Sequence, residues 1–283
     1  MPHHPTAWGP AEARRRTAPQ LRAAPAPVLT LRPEGEGPIA LLCEHASALL
    51  PQDCGASAAD QRWLRTHWGV DLGAAPLTAA LSRLLDAPAW LGGVSRLLCD
   101  LNRPADHPDL ARATVEGEHL ALNAGVNGPD GLAQRTARVA AWHTPFHAAV
   151  DAGLAERRAQ LRLLLSVHTF TPLYLGQPRR MGMGVLFDTH DALATRFAEA
   201  LRVQEAAVAE GVEVVENEPW SGKDGLIYSP ARHGNRHALP YLELEVRQDL
   251  LDDDDQVERI AARVAAALRT LPLIAPHLPA PGR

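Results

Sequence analysis

The sequence predicts an α/β protein, a three-layer sandwich with a mixed, mostly parallel central sheet flanked by helices. Three observations predict it. Short apolar runs recur at residues 38–44, 161–167, 184–187, 212–215 and 241–246. Runs of that length without polar alternation are strands buried on both faces, as in parallel sheets. Longer stretches at 71–85, 131–160, 191–209 and 254–271 have helical character, the first with leucines at 3.6-residue spacing. The two kinds alternate along the chain, as they do when crossover helices cover a sheet. With 283 residues the chain is long enough for one such domain, and no internal repeat divides it.

Each element follows from local composition. Residues 1–28 are rich in Ala, Pro and Arg without a hydrophobic period, so a mobile arm is expected there, with His3 and His4 as bystanders. A single domain is expected over 29–283, beginning with an edge strand at 29–36. The strand at 38–44 runs into Glu44-His45, and a loop follows to about residue 58. A short helix over 59–68 contains Trp63 and Trp68. Asp71 opens the next helix, where an acid in the first turn meets the helix dipole favourably. Residues 87–92 and 95–101 read as two extended segments around Gly92-Gly93, the second leading into Asp100-Leu101-Asn102-Arg103-Pro104. Residues 105–130 form a long polar loop. In the helical stretch 131–160, Pro145 forces a start or a kink. The strand at 161–167 ends in His168, and a Gly/Pro/Arg-rich loop runs on to Arg180. Strands at 184–187 and 212–215 end in Asp188 and Glu216-Asn217, and 219–239 is a polar loop. The last strand carries Glu243 and Glu245, and a helix closes the chain.

Composition removes several classes of function. The formal net charge is −5 and no basic stripe with aromatics appears, so nucleic acid is not an expected partner. No apolar run approaches the roughly 18 residues of a membrane span, and residues 1–28 lack a signal-peptide core. The three cysteines cannot all pair, and Cys43 and Cys99 fall in predicted buried strands. That usage suits a reducing cytoplasm. A monomer or small homo-oligomer is expected.

The strand ends carry the chemistry. In open α/β sheets the ligand site lies beyond the carboxyl ends of the strands. Here those ends hold Glu44-His45, Asp100-Asn102-Arg103, His168, Asp188 and Glu216-Asn217, with Glu243 and Glu245 inside the last strand. A catalytic Zn²⁺ site needs three nitrogen or oxygen ligands with a position left open. It also needs a carboxylate that is not a ligand, to take a proton from water. His45, His168 and the acids meet that demand, with zinc, or another divalent metal, as the cofactor.

The motifs also carry a resemblance. Cys43-Glu44-His45-Ala46-Ser47, Asp71-Leu72-Gly73-Ala74, Asp100-Leu101-Asn102-Arg103-Pro104 and Pro145-Phe146-His147 occur in order. They are followed by Ser166-Val167-His168-Thr169-Phe170, Glu216-Asn217-Glu218-Pro219-Trp220 and Leu244-Glu245-Val246-Arg247-Gln248-Asp249-Leu250. Together the seven motifs resemble the N-formylglutamate amidohydrolase family from about residue 37 to 270. That family is similar in fold to zinc carboxypeptidases and zinc cell-wall amidases. The resemblance implies zinc held by His45, Asp71 and His168, with Glu245 as general base and Arg247 in the same catalytic run. Arg103, with Asn102, matches the carboxypeptidase pair that holds a substrate carboxylate. One departure stands out: the His-x-x-Glu ligand pair of carboxypeptidases is absent, since Ala48 follows His45 by three. Asp71 is the amidase-like replacement and Glu44 its rival. Strand alternation points Glu44 away from His45 and favours Asp71. Glu243 shares a face with Glu245 and is the alternative base. His147 and Arg180 are the further substrate-binding candidates, Arg180 for a second carboxylate. The implied activity is hydrolysis of N-formyl-L-glutamate or a related small N-acyl amino acid. The alternatives are a peptide or cell-wall amide, and, in another class, a metal- or carboxylate-binding module without turnover.

Overall fold

A computed structural model of the chain describes residues 25–277. In chain order, β1 (Val28–Leu31) and β2 (Ile39–Cys43) precede α1 (Ala58–Trp63), α2 (Ala74–Leu85) and β3 (Ala89–Gly92). A small hairpin, β4 (Thr114–Val115) and β5 (Glu118–His119), sits in the long loop. Then come α3 (Leu132–Arg138), α4 (Thr144–Glu156), β6 (Leu163–Phe170), and a second hairpin of β7 (Leu173–Tyr174) and β8 (Gln177–Pro178). The chain continues through β9 (Met183–Leu186), α5 (Asp191–Ala206), β10 (Val214–Glu216), α6 (Tyr228–His237), β11 (Tyr241–Arg247) and α7 (Asp254–Arg269).

Seven strands form the central sheet in the order β1-β3-β2-β6-β11-β9-β10. The pairs β2–β3, β2–β6, β6–β11 and β9–β10 are parallel, while β1–β3 and β9–β11 are antiparallel. The sheet is therefore mixed and mostly parallel, as predicted. Its two faces bury different halves of each strand. Ile39, Leu41, Leu163, Leu165, Val167, Leu242 and Leu244 enter a core shared with α2, α5 and α7. Ala40, Leu42, Leu164 and Tyr241 face Phe146, Val150 and Leu154 of α4. Period-2 alternation then fixes where the polar residues go. Ser166 and His168 of β6, and Glu243 and Glu245 of β11, share the α4–α6 face. Register places Glu245 beside His168 and Glu243 beside Ser166.

Several local expectations change. The arm expected over 1–28 lies outside the described residues as far as residue 24, with His3 and His4, and Val28 instead begins the edge strand, paired with Gly92. Residues 95–101 are turns rather than a strand, because the N–H groups of Leu98 and Cys99 both donate to the Ser95 carbonyl. Cys99 is nonetheless buried, and burial pushes its thiol, like that of Cys43, up to about 12. The stretch expected as a polar loop at 219–239 contains α6. Its buried positions are Ser229, Pro230, His233 and Gly234 rather than aliphatics, so no apolar period marks it. Before Pro145 the helix widens into a π turn over Val139–His143, which relieves the clash of the proline ring with the carbonyl four residues back.

The mixed direction has a further consequence. β9 and β10 run opposite to β11, so their carboxyl ends lie at the far end of the sheet. Asp188 there accepts from the Tyr241 hydroxyl at the start of β11 (2.8 Å). Glu216 accepts from Thr195 and Arg202. Neither joins the other strand ends, because an apolar run reports burial and not strand direction.

Candidate active site

The site begins where β2 stops. His45 leaves the strand end, and Gly92 on neighbouring β3 makes the passage possible, since a Cβ there would meet the Glu44 carbonyl at 2.1 Å. The Asp71 N–H donates to the His45 carbonyl (3.0 Å) and so ties the second loop to the first. Asp71 does not open α2. The helix starts at Ala74, behind Gly73 in the left-handed region (φ 90°), and has no side-chain cap. The Asp71 carboxylate is turned instead toward the two imidazoles.

Those imidazoles are held from behind. His45 Nε2 donates to Asp100 Oδ1 (2.8 Å). His168 Nε2 donates to Glu44 Oε2 (3.0 Å), which Ser166 Oγ also holds (2.6 Å). With both Nε2 positions occupied by protons, the Nδ1 lone pairs face Asp71 Oδ2, at 3.4 Å from His45 and 2.8 Å from His168. Three acceptors converging in a buried place require a cation between them, whether a proton or a metal. Carboxylate-backed imidazoles are the usual support of metal-binding histidines. Tetrahedral zinc with ligands near 2.0–2.1 Å spaces them about 3.3 Å apart, and the observed separations bracket that figure. His45, Asp71 and His168 offer ligand atoms all within 4.8 Å of one another, and all three residues are buried. This donor set fits a divalent metal. Glu44 is not part of it: its Oε2 is held by His168 Nε2 and Ser166, behind the imidazole.

The electrostatics agree. Burial favours a neutral Glu44, but the hydrogen bonds and charge of His168, with Ser166, overcome it and hold the carboxyl at about 2. Burial disfavours a charged His168, yet Glu243, Asp71 and Glu44 drive its pKa well up. Asp71 and Asp100 are held low against the cost of burial, chiefly by His45. Arg96 bridges the two, donating to Asp71 Oδ1 (3.3 Å) and Asp100 Oδ2 (3.2 Å).

Glu243 and Glu245 both line the pocket above this group, and burial pushes both carboxyls up. Their partners differ. Glu243 Oε2 accepts from Asn102 Nδ2 (3.2 Å) and lies 3.3 Å from His168 Nε2. Glu245 Oε2 is buried with no hydrogen-bond partner, leaving that carboxylate oxygen free for a reacting proton.

The substrate-side residues sort differently from the sequence order. Arg103 lines the pocket, its Nε only within 4.0 Å of Asp100. Asn102 also lines it, but its amide already binds Glu243, and its oxygen accepts from the Ser229 N–H (2.8 Å). Arg180 is exposed and outside the pocket; Arg179 lines it. Adjacent residues leaving a hairpin strand point opposite ways, so a shift of one position exchanges them. The Arg179 guanidinium lies over Tyr174 (4.5 Å), Trp220 (4.7 Å) and Phe170 (5.6 Å). Arg247 does not reach the pocket: it donates to the carbonyls of Arg179, Arg180 and Met181 and pairs with Asp249 (2.8 Å). It therefore positions the segment that carries Arg179. Arg96 and Arg179 escaped the sequence reading. The available signal for Arg96 was a single charge inside the apolar run 94–99, four residues before Asp100.

His147 is also displaced from its expected place. It does not line the pocket but shares a hydrogen bond with His233 (2.8 Å), which donates to Asp151 (2.8 Å) between α4 and α6. Burial pushes the His233 pKa down from 6.5 to about 4, despite Asp151. Because the folded pKa is the lower one, this contribution to stability is present above pH 6.5 and is lost as the pH falls through 4. His233→Gln is expected to flatten the urea midpoint between pH 6.5 and 4, where the wild type loses on the order of 3 kcal/mol to this group. Parallel pH profiles of the two proteins would overturn that assignment.

Residues 37–251 match the family model described as N-formylglutamate amidohydrolase. No curated protein matches the sequence. The fold is similar to that of gene product Atu2144 from Agrobacterium tumefaciens, with 28% identity and a TM-score of 0.75, over 90% of this chain and 99% of that one. It is also similar to N-formylglutamate amidohydrolase from Ralstonia eutropha JMP134, with 18% identity and a TM-score of 0.66, over 90% and 100% of the two chains.

Proposed function

The chain belongs to the N-formylglutamate amidohydrolase family, and we propose that it is a zinc-dependent deformylase of N-formyl-L-glutamate or a closely related N-acyl amino acid with two carboxylates. The observation that carries this reading is the meeting, in one pocket, of the His45–Asp71–His168 donor set with the partnerless carboxylate of Glu245. When bound, the metal polarises the amide carbonyl and lets water be deprotonated near neutral pH.

The chain's own residues do the rest. Glu245, made more basic by burial, takes a proton from the attacking water and delivers it to the leaving nitrogen as the C–N bond breaks. Asp100 and Glu44 keep each Nε2 protonated, so that both Nδ1 atoms stay available as ligands. Arg96 balances the charge of Asp71 and Asp100. Two guanidinium groups in the pocket are not committed to a carboxylate at short range. Arg103 approaches Asp100 only to 4.0 Å, and Arg179 has no ion-pair partner among the described residues. By contrast, Arg112 is paired with Asp109 (3.0 Å). Two uncommitted guanidinium groups suit a substrate with two carboxylates, since each can bind one in its plane. Arg103 then holds the α-carboxylate and Arg179 the distal one.

Metal analysis combined with formate release tests this. The expected result is one zinc per chain and a preference for N-formyl-L-glutamate over N-formyl-L-norvaline of at least about tenfold. Norvaline keeps the side-chain length and lacks the carboxylate. Equal rates on the two would overturn the dicarboxylate reading.

A further inference from the structure

Eight buried polar side-chain atoms among the described residues have no hydrogen-bond partner, and only two belong to residues that line the pocket: Glu245 Oε2 and His67 Nε2. The first is the candidate base. The second has no role in the chemistry derived above. His67 stands four residues before Asp71, on the turns between α1 and α2. Its ring packs on Trp68 at 4.9 Å between centroids and meets Tyr174 edge-on at 6.5 Å. Burial pushes its pKa down to about 4; Glu116 and Asp71 oppose the shift, and Arg96 and Arg179 reinforce it. The ring is therefore neutral at physiological pH and carries one N–H.

A buried polar atom is nearly always satisfied, and one left over beside a pocket marks the place of a missing partner. Tyr174 points to that partner: its ring centroid lies 6.5 Å from that of His67 and 4.5 Å from the Arg179 guanidinium, and all three residues line the same pocket. We propose that His67 donates its Nε2–H to the distal carboxylate of the substrate, alongside Arg179, and so acts as a specificity residue. A neutral donor beside a caged cation selects an acceptor group and leaves an apolar side chain with an unmet N–H. This rests on the dicarboxylate reading of the pocket.

The test compares N-formyl-L-glutamate with N-formyl-L-norvaline on the metal-loaded wild type, His67→Leu and His67→Gln. His67→Leu is expected to lower kcat/KM for the glutamate substrate about 10- to 100-fold, chiefly through KM, and to leave the norvaline substrate within about twofold. His67→Gln, with an N–H at similar reach, is expected to recover most of the loss. An equal loss on both substrates, or a glutamine variant no better than leucine, overturns the proposal. If the wild type itself has no preference, the dicarboxylate reading falls instead, and the proposal with it. Imidazole nitrogen NMR of the wild type supplies a readout independent of variant folding. The His67 Nε2 resonance, assigned by its absence in His67→Gln, is expected to move with saturating L-glutamate and not with L-norvaline. A resonance unmoved by L-glutamate overturns the proposal.

Discussion

His168→Ala is expected to yield a protein that holds no stoichiometric metal and has lost at least on the order of a thousandfold in amidase activity. Changing groups that only support a metal ligand typically costs 10- to 100-fold in affinity or activity, and His168 offers its Nδ1 directly beside Asp71 Oδ2. The change also strips Glu44 of its main partner. Glu44 and His168 are both buried, and removing one member of a buried ion pair costs about 3–5 kcal/mol. His168→Asn, which keeps a polar group near the Nδ1 position, separates folding from metal loss. Metal content by mass spectrometry and thermal unfolding should be measured together. Retention of a full equivalent of zinc by either folded variant would remove His168 from the donor set.

Glu245→Gln is expected to lower kcat by about 10²–10⁴, the range for loss of a general base, while zinc content and KM stay within a few-fold of wild type. The amide fills the same space and removes only the ability to take a proton. Glu243→Gln should be far milder on kcat, because Glu243 is already tied to Asn102 and lies against His168. The pair of variants makes the assignment sharp: a larger kcat loss in Glu243→Gln than in Glu245→Gln would exchange their roles. A pH profile adds a check. Glu245 must be deprotonated to act, and burial raises its pKa. The acidic limb of the wild-type profile should therefore lie above the ordinary glutamate range and disappear in the glutamine variant.

Much of this site is legible as strand-end chemistry. His45 and His168 each follow an apolar run, and Glu243 and Glu245 alternate with leucine and valine. Those patterns are local, so sequence carries them. Strand alternation turned Glu44 away from His45, but β2 ends at Cys43 and both side chains reach His168, Glu44 by a hydrogen bond to Nε2 and His45 at 4.8 Å between ring centroids. What escaped depends on partners distant in sequence. Arg96 is 25 residues from Asp71, and no period announces that pairing. Arg179 and Arg180 differ only in which way a hairpin residue points. His147 and Arg247 sit in family motifs, yet one joins a histidine pair between helices and the other binds the backbone of 179–181.

By itself, then, the sequence determined the class of fold, the strands of its central sheet, the family, and the two histidines and two glutamates that lie in or just after those strands. Each follows from periodicity or from a short motif, and both are properties of neighbouring residues. Only the tertiary structure decided strand direction, which sent Asp188 and Glu216 to the far end of the sheet. It alone decided that Asp100 and Glu44 stand behind the imidazoles, and which arginines keep their charge uncommitted. Those outcomes depend on distances between residues far apart in the chain, and such distances exist only once the sheet has set its order and register.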